Sequence, residues 1–402
     1  MTPGLALSVV SMPASDIRAA CILGLAFLAL LAIAEAWSRL GNGKPEWTRK
    51  LVHVCGGLAC LSFPFVMTSP WTVLLLAASI TVVLVAGAET RWLQSLHRVK
   101  RRSRGSEYFL ISVFLVFILS QDRPWLYVAS MLVLTVADAF AALIGMRYGK
   151  IRYEVEEETK SLEGSLAFGM IAFAAIAIPL VTMTDLPLPV CLLSALLVAA
   201  VVTGFEAVCL TGTDNLFVPI GVCVILSKIT TKPLNEIIYQ NVSMALMLAV
   251  IVWLSWRVRA LNIGGALTLA LFTYGAWSLG SEWWAVPALA SFTMYIAACA
   301  LKPLKEALRV RTVFRAVTIP LALLVAANML NLKQTLYVPF AASLTVVLFL
   351  SIRNHLLSPG GEAERAPSTD EVWPAAHMIW TAAGAAIAYA AQALLSPGLT
   401  TW

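Results

Sequence analysis

A single acidic residue lies deep within one of the apolar segments of this sequence. Asp138 is followed at helical spacing by Ala142 and Gly145, which leave the same helix face open to a ligand or a neighbouring backbone. An isolated carboxylate in such surroundings is costly, so a cation or a paired ammonium group has to offset it. Magnesium bound to a nucleotide supplies such a cation, because Mg²⁺ binds one or two carboxylates together with phosphate oxygens. Asp138 is therefore our first candidate metal ligand.

A second polar cluster opens the next apolar segment. Lys160 and Ser161 stand shortly before Gly164 and Ser165, which places an ammonium group and free backbone amides at a predicted helix N-terminus. Phosphate groups bind well at such positions. The acidic run at 154–158, between the two clusters, is typical of a solvated loop face. We therefore predict that phosphate binds at the start of this segment.

A third cluster contains basic residues at the start of an apolar segment. Arg49 and Lys50 precede His53, and Arg49 and His53 lie one helical turn apart on the same face. A guanidinium and an imidazole placed in this way suit a phosphate group. The alternative interpretation is a snorkelling basic anchor without a binding role.

The fourth cluster lies between two apolar segments. Glu206 stands near the end of one segment, and Asp214 and Asn215 precede the next. The Thr-Asp-Asn turn has an alternative interpretation as a simple N-cap for the helix that follows. Either way, Glu206 and Asp214 add two carboxylates to the polar residues near the membrane surface.

The elements that carry these clusters are predicted to span a membrane. Hydrophobic residues make up 60% of the chain and charged residues only 12%, well below the roughly 25% charged content of soluble domains. Apolar runs of about 20 residues cross a bilayer, and helices satisfy the backbone there. We therefore predict an all-α polytopic integral membrane protein with about 14 transmembrane helices. The predicted spans are 18–37, 53–69, 71–89, 107–121, 125–146, 164–183, 188–209, 213–229, 239–256, 262–280, 283–301, 314–331, 335–352 and 376–396.

Lysine and arginine residues are divided unevenly between the two sets of alternating loops. One set, with the helix ends beside it, carries 23 of the 28 basic residues, and the opposite set carries the other five. Basic loops stay in the cytosol, so all four clusters are predicted to face the cytosol, with both termini outside. The basic excess then reflects topology and attraction to membrane lipids, and we expect no nucleic-acid partner.

The order of these motifs resembles the phytol kinase and dolichol kinase family. The resemblance covers about residues 20–229. It implies a prenol-kinase-like membrane domain over 1–229, followed by a helical membrane extension of unknown role over 230–402. The residues that carry it are Arg49-Lys50-x-x-His53, Gly105 and Glu107 after a basic run, Asp138-Ala-x-Ala with Gly145 and Gly149-Lys150, Lys160-Ser161-x-Glu163-Gly164-Ser165, and Glu206 with Asp214-Asn215-x-x-Val218-Pro219.

The resemblance implies CTP-dependent phosphorylation of a membrane isoprenoid alcohol, such as phytol, geranylgeraniol, farnesol or a longer polyprenol, in a bacterial cell membrane. CTP is the implied phosphoryl donor and Mg²⁺ the implied cofactor. The candidate magnesium ligands are Asp138, Glu163 and Asp214. The candidate catalytic residues are Asp138, Lys160, Glu163, Asp214, Glu206 and His53, with Asp214 and Glu206 preferred over His53 as the base. The candidate nucleotide-binding residues are Arg49, Lys50, Gly145, Gly149, Lys150, Ser161, Gly164, Ser165 and Asn215.

Two other classes of protein share parts of this pattern. A phosphatidate-cytidylyltransferase-like enzyme would use the same nucleotide and metal to make a CDP-lipid, but its denser Lys-Arg-x4-Lys-Asp signature is missing. A membrane transporter of this size is expected to show paired inverted repeats and broken helices near the midplane. We see no convincing similarity between the two halves of the chain, and the ionisable residues gather at one predicted face.

Overall fold

The described part of the chain is almost entirely helical. The computed structural model describes residues 12–40, 45–89, 105–120, 122–155, 158–209, 212–302 and 307–357. The regular elements there are helices and one pair of short strands, so the all-α prediction is confirmed. The chain divides into two compact units: 1–153 with 158–238, and 154–157 with 239–402.

The first unit contains the helices that carry the four polar clusters. Each long helix is apolar over most of its length, which is why its backbone closes its own hydrogen bonds within a bilayer. The helices are α1 Ala14–Leu40, α2 Pro45–Cys60, α3 Phe63–Val66, α4 Pro70–Glu89, α5 Gly105–Leu119, α6 Pro124–Leu132, α7 Asp138–Tyr148, α8 Leu162–Met183, α9 Leu188–Val208 and α10 Asp214–Ile229. Strands β1 Arg152–Val155 and β2 Glu158–Ser161 stand between α7 and α8.

The second unit is built from five further helices. α11 starts before the boundary between the units and continues into the second. A short parallel bridge between Leu261 and Leu308 joins two of the connecting loops in this unit. The helices are α11 Leu234–Val258, α12 Ile263–Gly275, α13 Glu282–Leu301, α14 Val310–Met329 and α15 Lys333–Leu357.

The structure confirms many helices of membrane-spanning length but does not confirm the predicted number of 14. Within the described ranges, ten helical runs are long and apolar enough to cross a membrane. Two predicted spans, 53–69 and 107–121, fall on shorter apolar helices, because α2 ends at Cys60 and α5 ends at Leu119. The predicted span 213–229 falls on the 16-residue helix α10. The predicted span 376–396 lies outside the described residues.

A π-helical segment, Val133–Ala137, joins α6 to α7 directly before Asp138. Such segments are often found at functional sites, because they widen one turn of a helix and shift the residues that follow. Helix α2 packs closely against this segment. An added Cβ at Gly57 would lie 2.2 Å from Oγ1 of Thr135, so only glycine fits at this contact.

Helices α7 and α8 approach each other through glycines. An added Cβ at Gly164 would lie 3.1 Å from the carbonyl oxygen of Ala141 and 3.2 Å from Cα of Gly145. Backbone atoms have little room to move aside, so small residues at these positions allow the two helices to cross closely. The crossing holds the Asp138 helix beside the segment that follows Lys160.

The acidic loop that was predicted to be a solvated face contains two short strands, and Glu154 on the first of them is exposed as predicted. Its two strands pair with each other, and β2 ends at Ser161, which caps α8 by accepting a hydrogen bond from the Gly164 backbone amide at 3.1 Å. Tyr153 and Val155 of β1 are buried. The alternation of buried and exposed residues along β1 was hidden in the sequence by the charged residues around it.

We predict that Gly57→Ala lowers the free energy of unfolding by about 1–3 kcal/mol, because overpacking at the Thr135 contact forces the helices apart. The measurement is unfolding of the purified protein in mixed micelles. The control is Gly275→Ala in α12, where an added Cβ meets nothing within 4 Å and a gain of helix propensity of up to about 1 kcal/mol is expected. Equal stability of the Gly57 variant and the wild type would contradict the close packing of α2 on the π segment.

Candidate functional site

A small cavity in the first unit collects acidic side chains from separate elements. The π segment and helices α7, α8, α9 and α10 all contribute to its wall. Apart from three carboxylates and one amide, the lining is apolar. The lining residues are Leu134, Asp138, Phe168, Glu206, Asp214, Asn215 and Val218. The structure therefore brings together predicted site residues that lie up to 77 positions apart in the chain (138 to 215).

Asp138 is held by basic residues of α2. Its Oδ2 lies 2.9 Å from Nζ of Lys50 and 3.5 Å from Nε2 of His53. Nε2 of His53 also lies 3.1 Å from the carbonyl oxygen of Leu134, within the π segment. Since both neighbours are acceptors, Nε2 is the nitrogen that carries the hydrogen. Lys50 and His53 thus fix the orientation of the carboxylate at the cavity.

Lys160 and Glu206 form a second ion pair beside the same cavity. Nζ of Lys160 lies 2.9 Å from Oε1 of Glu206 and also donates to the Glu206 backbone carbonyl. The two side chains are only 12% and 13% exposed. Burial by itself disfavours the ammonium, but the charges of Glu206 and Asp214 outweigh it and raise the pKa of Lys160 above its ordinary value. Lys160 therefore stays charged and is able to bind an anion.

A chain of hydroxyl groups orients the other oxygen of Glu206. Oγ of Ser165 donates to Oε2 of Glu206 at 3.2 Å, and the Tyr153 hydroxyl lies 2.7 Å from Oγ of Ser165. Burial raises the pKa of Tyr153, so its hydroxyl keeps its proton. Tyr153 was missed in the sequence because it stands in the acidic loop, and only its place on strand β1 turns it inward.

Asp214 and Asn215 begin α10 at the wall of the cavity. Oδ1 of Asp214 accepts a hydrogen bond from the Asn215 backbone amide at 3.0 Å, and Nδ2 of Asn215 donates to the carbonyl oxygen of Gly105 at 3.0 Å. Thr213, at the N-cap position, makes no capping hydrogen bond through its side chain. Asn215 therefore ties α10 to the start of α5, which keeps Asp214 at the cavity.

Glu163 lies apart from the three carboxylates of the cavity. Its Oε1 accepts hydrogen bonds from the backbone amides of Lys150 at 3.0 Å and Ile151 at 3.2 Å. This contact fastens the loop after α7 to the start of α8. Of the three candidate magnesium ligands, Asp138 and Asp214 therefore line one cavity. Glu163 does not line it, and metal binding by Glu163 stays a prediction.

The candidate nucleotide-binding glycines pack against protein atoms. An added Cβ at Gly149 would lie 2.3 Å from the Gly145 carbonyl oxygen and 2.7 Å from Cβ of Ser161. Ser161 already binds the Gly164 amide, so this amide is not free as the sequence indicated. Binding of a nucleotide by the glycines and by Ser161 stays a prediction. Nucleotide binding by Lys150, which is exposed, also stays a prediction. Arg49 belongs to α2, but its side chain lies outside the described part of the structure.

The carboxylates of the cavity fit a metal held jointly with phosphate. Within the described ranges, no group of three or more His, Cys, Asp or Glu side chains is arranged to enclose a metal ion. Mg²⁺ bound to a nucleotide needs less, because one or two carboxylates complete a shell of phosphate oxygens and water. Asp138 and Asp214, which face one cavity from α7 and α10, meet that requirement.

Apolar helices of membrane-spanning length and a cavity with ion-paired carboxylates define the chain as an integral membrane protein with a buried polar site. A phytol kinase from Synechocystis sp. (strain ATCC 27184 / PCC 6803 / Kazusa) is 30% identical to this chain over 195 residues, which make up 48% of this chain and 83% of that kinase. The chain therefore belongs to the phytol kinase family, and the resemblance seen in its motifs is confirmed. No family model and no solved structure matches it.

We predict that Lys160 and Glu206 are energetically coupled. Either Lys160→Met or Glu206→Gln leaves a buried partner uncompensated and is expected to lower the free energy of unfolding by about 3 kcal/mol. The double variant is expected to lose at least about 1 kcal/mol less than the sum of the two single losses. The measurement is a double-mutant cycle in mixed micelles.

The matched control for this cycle is the pair Lys232 and Glu236. It has the same chemistry, but its side chains are 30% and 41% exposed, and exposed helix pairs contribute about 0.5 kcal/mol or less. The same two substitutions at these positions should therefore be nearly additive. Equal coupling in the two pairs would contradict the buried character of the Lys160–Glu206 contact.

Proposed function

We propose that this protein transfers phosphate from CTP to a membrane isoprenoid alcohol and releases a lipid monophosphate and CDP. The observation that carries the proposal is the shared cavity of Asp138, Glu206 and Asp214, with Lys160 paired beside it. Phosphoryl transfer requires positioned charges more than covalent chemistry by the protein, and this set of residues supplies them. Membership of the phytol kinase family supports an isoprenoid alcohol as the acceptor.

The charged residues of the cavity have two proposed roles, metal binding and phosphate binding. Asp138 and Asp214 would hold Mg²⁺, which when bound neutralises charge on the nucleotide phosphates. Lys160 stands beside the cavity as a permanent cation and would bind a phosphate oxygen, with Glu206 holding its ammonium in place when the nucleotide is absent. Lys50 and His53 keep the Asp138 carboxylate turned towards the cavity.

The lipid hydroxyl must lose its proton as its oxygen bonds to the γ-phosphorus and the bond to CDP breaks. Asp214 is our preferred acceptor of this proton, because a carboxylate can hold Mg²⁺ through one oxygen and accept a proton on the other. Glu206 is already engaged, since Oε1 is paired with Lys160 and Oε2 accepts a hydrogen bond from Ser165. His53 carries hydrogen on the nitrogen that faces Asp138 and Leu134, so this nitrogen cannot accept a proton. The basic residues of the loops orient this cavity towards the cytosol, where CTP is found.

The test of the reaction is incubation of the purified full-length protein with Mg²⁺, labelled CTP and a panel of prenols. We expect label from the γ-phosphate in a lipid monophosphate, together with one equivalent of CDP. Pyrophosphate and a CDP-lipid would instead identify a cytidylyltransferase. Uptake of a solute into vesicles without consumption of CTP would identify a transporter. Parallel reactions with ATP and GTP establish whether CTP is the preferred donor.

We predict that Asp138→Asn and Lys160→Ala each lower the rate of lipid phosphorylation by at least about 100-fold, because each removes a charge that acts on the transferred phosphate. Both variants are still expected to insert into the membrane. The matched controls are Asp185→Asn and Lys228→Ala, whose residues are exposed and lie away from the cavity lining. Wild-type activity in both site variants would show that the reaction takes place elsewhere.

A further inference from the structure

A second cavity in the first unit is lined only by apolar side chains and glycine. It is partly open to the surroundings. Helices α1 to α5 all contribute to its wall. The lining residues are Leu23, Phe27, Gly56, Ala59, Cys60, Phe63, Leu76, Ala77, Ile80, Leu110 and Val113.

This apolar groove begins about one helical turn along α2 from His53, a residue that faces Asp138. His53, which faces Asp138, packs its ring against that of Phe109 with the ring centroids 5.3 Å apart. Gly56 follows His53 on α2 by about one helical turn, and Leu110 follows Phe109 on α5; both line the groove. A molecule whose polar end lies beside Asp138 would therefore reach the groove by running along α2 for about one turn.

Small residues form part of the groove wall. Gly56 and Ala77 stand on its wall, and an added Cβ at Gly56 would lie 2.8 Å from Cε2 of Phe27. Cys60 lies about two turns beyond His53 along α2, and Phe63 of α3 follows at the end of the groove farthest from His53. The groove is apolar throughout, and His53, which faces Asp138, lies about one turn beyond Gly56 of its wall. This arrangement matches a lipid alcohol whose hydroxyl group lies at Asp138.

We propose that this groove binds the hydrocarbon chain of the isoprenoid alcohol next to its hydroxyl group, and that Ala77 and Cys60 set how much of the chain fits. The proposal rests on the kinase function described above. Apolar contacts with the groove would make longer acceptors better substrates than the shortest one, because each buried methylene adds to the binding free energy.

The test compares dimethylallyl alcohol, which has a single isoprene unit, with geranylgeraniol, which has four. The quantity measured is the ratio of kcat/KM for the long acceptor to kcat/KM for the short one. In Ala77→Phe we expect this ratio to fall at least about tenfold, because the added ring fills the space of the distal carbons. The KM for CTP should stay at the wild-type value, since the groove does not hold the nucleotide.

The matched control is Ala78→Phe. Ala78 is the next residue on the same helix, but it is exposed and does not line the groove, so the acceptor ratio should stay at the wild-type value. Cys60→Phe, at the same end of the groove, provides a second variant in case Ala77→Phe does not fold, as judged by size-exclusion chromatography in detergent. A fall in the ratio for either groove variant supports the proposal.

An unchanged acceptor ratio in a folded groove variant would overturn the proposal, even if that variant kept full kinase activity. This result would indicate that bilayer lipid, and not the acceptor, occupies the groove. A wild-type protein that phosphorylates neither alcohol, nor any other prenol of the panel described above, would instead refute the kinase function itself. The two failures are therefore distinguishable in one set of assays.

Discussion

The cost of burying charged groups among apolar helices is the constraint on which the rest of this structure depends. A carboxylate or ammonium in these surroundings is stable only when an opposite charge or several hydrogen bonds compensate it. Two ion pairs meet this requirement: Lys50 with Asp138, and Lys160 with Glu206. Each pair joins elements that are distant in sequence, so the pairs both neutralise the site and hold its walls together.

The packing around the site serves the same purpose. Gly57 lets α2 approach the π segment, which brings Lys50 and His53 to Asp138. Gly164 lets α8 cross α7, and β2 carries Lys160 to the end of α9. A nucleotide that entered the cavity would meet carboxylates and a cation already held in place, which reduces the reorganisation needed for phosphoryl transfer.

The sequence predicted the positions of the helices better than their contacts. Thirteen of the predicted spans fall on helices in the described residues, because apolar runs are read directly from composition. The convergence of Asp138, Glu206 and Asp214 on one cavity agrees with the shared face inferred from the basic loops. The partners of these residues were not predictable, since Lys50 and Asp138 are 88 positions apart and local spacing says nothing of such a contact.

Local reasoning also failed where a residue had two possible uses. Phosphate binding by Lys160 stays a prediction, but its partner in the structure, Glu206, was not foreseen. The Gly164 amide was expected to be free, and Ser161 binds it. Glu163 fastens a loop through backbone amides that the sequence does not reveal. In each case a neighbouring protein group satisfies the polar atom.

The most direct measurement is a cryo-EM structure of the protein in lipid nanodiscs with Mg²⁺ and a non-hydrolysable CTP analogue. We expect density for the triphosphate in the cavity between α7 and α10, with the metal against Asp138 and Asp214 and Lys160 turned from Glu206 towards a phosphate oxygen. Triphosphate density at another place, with both ion pairs left intact, would contradict the central claim that these buried charges exist to bind the nucleotide.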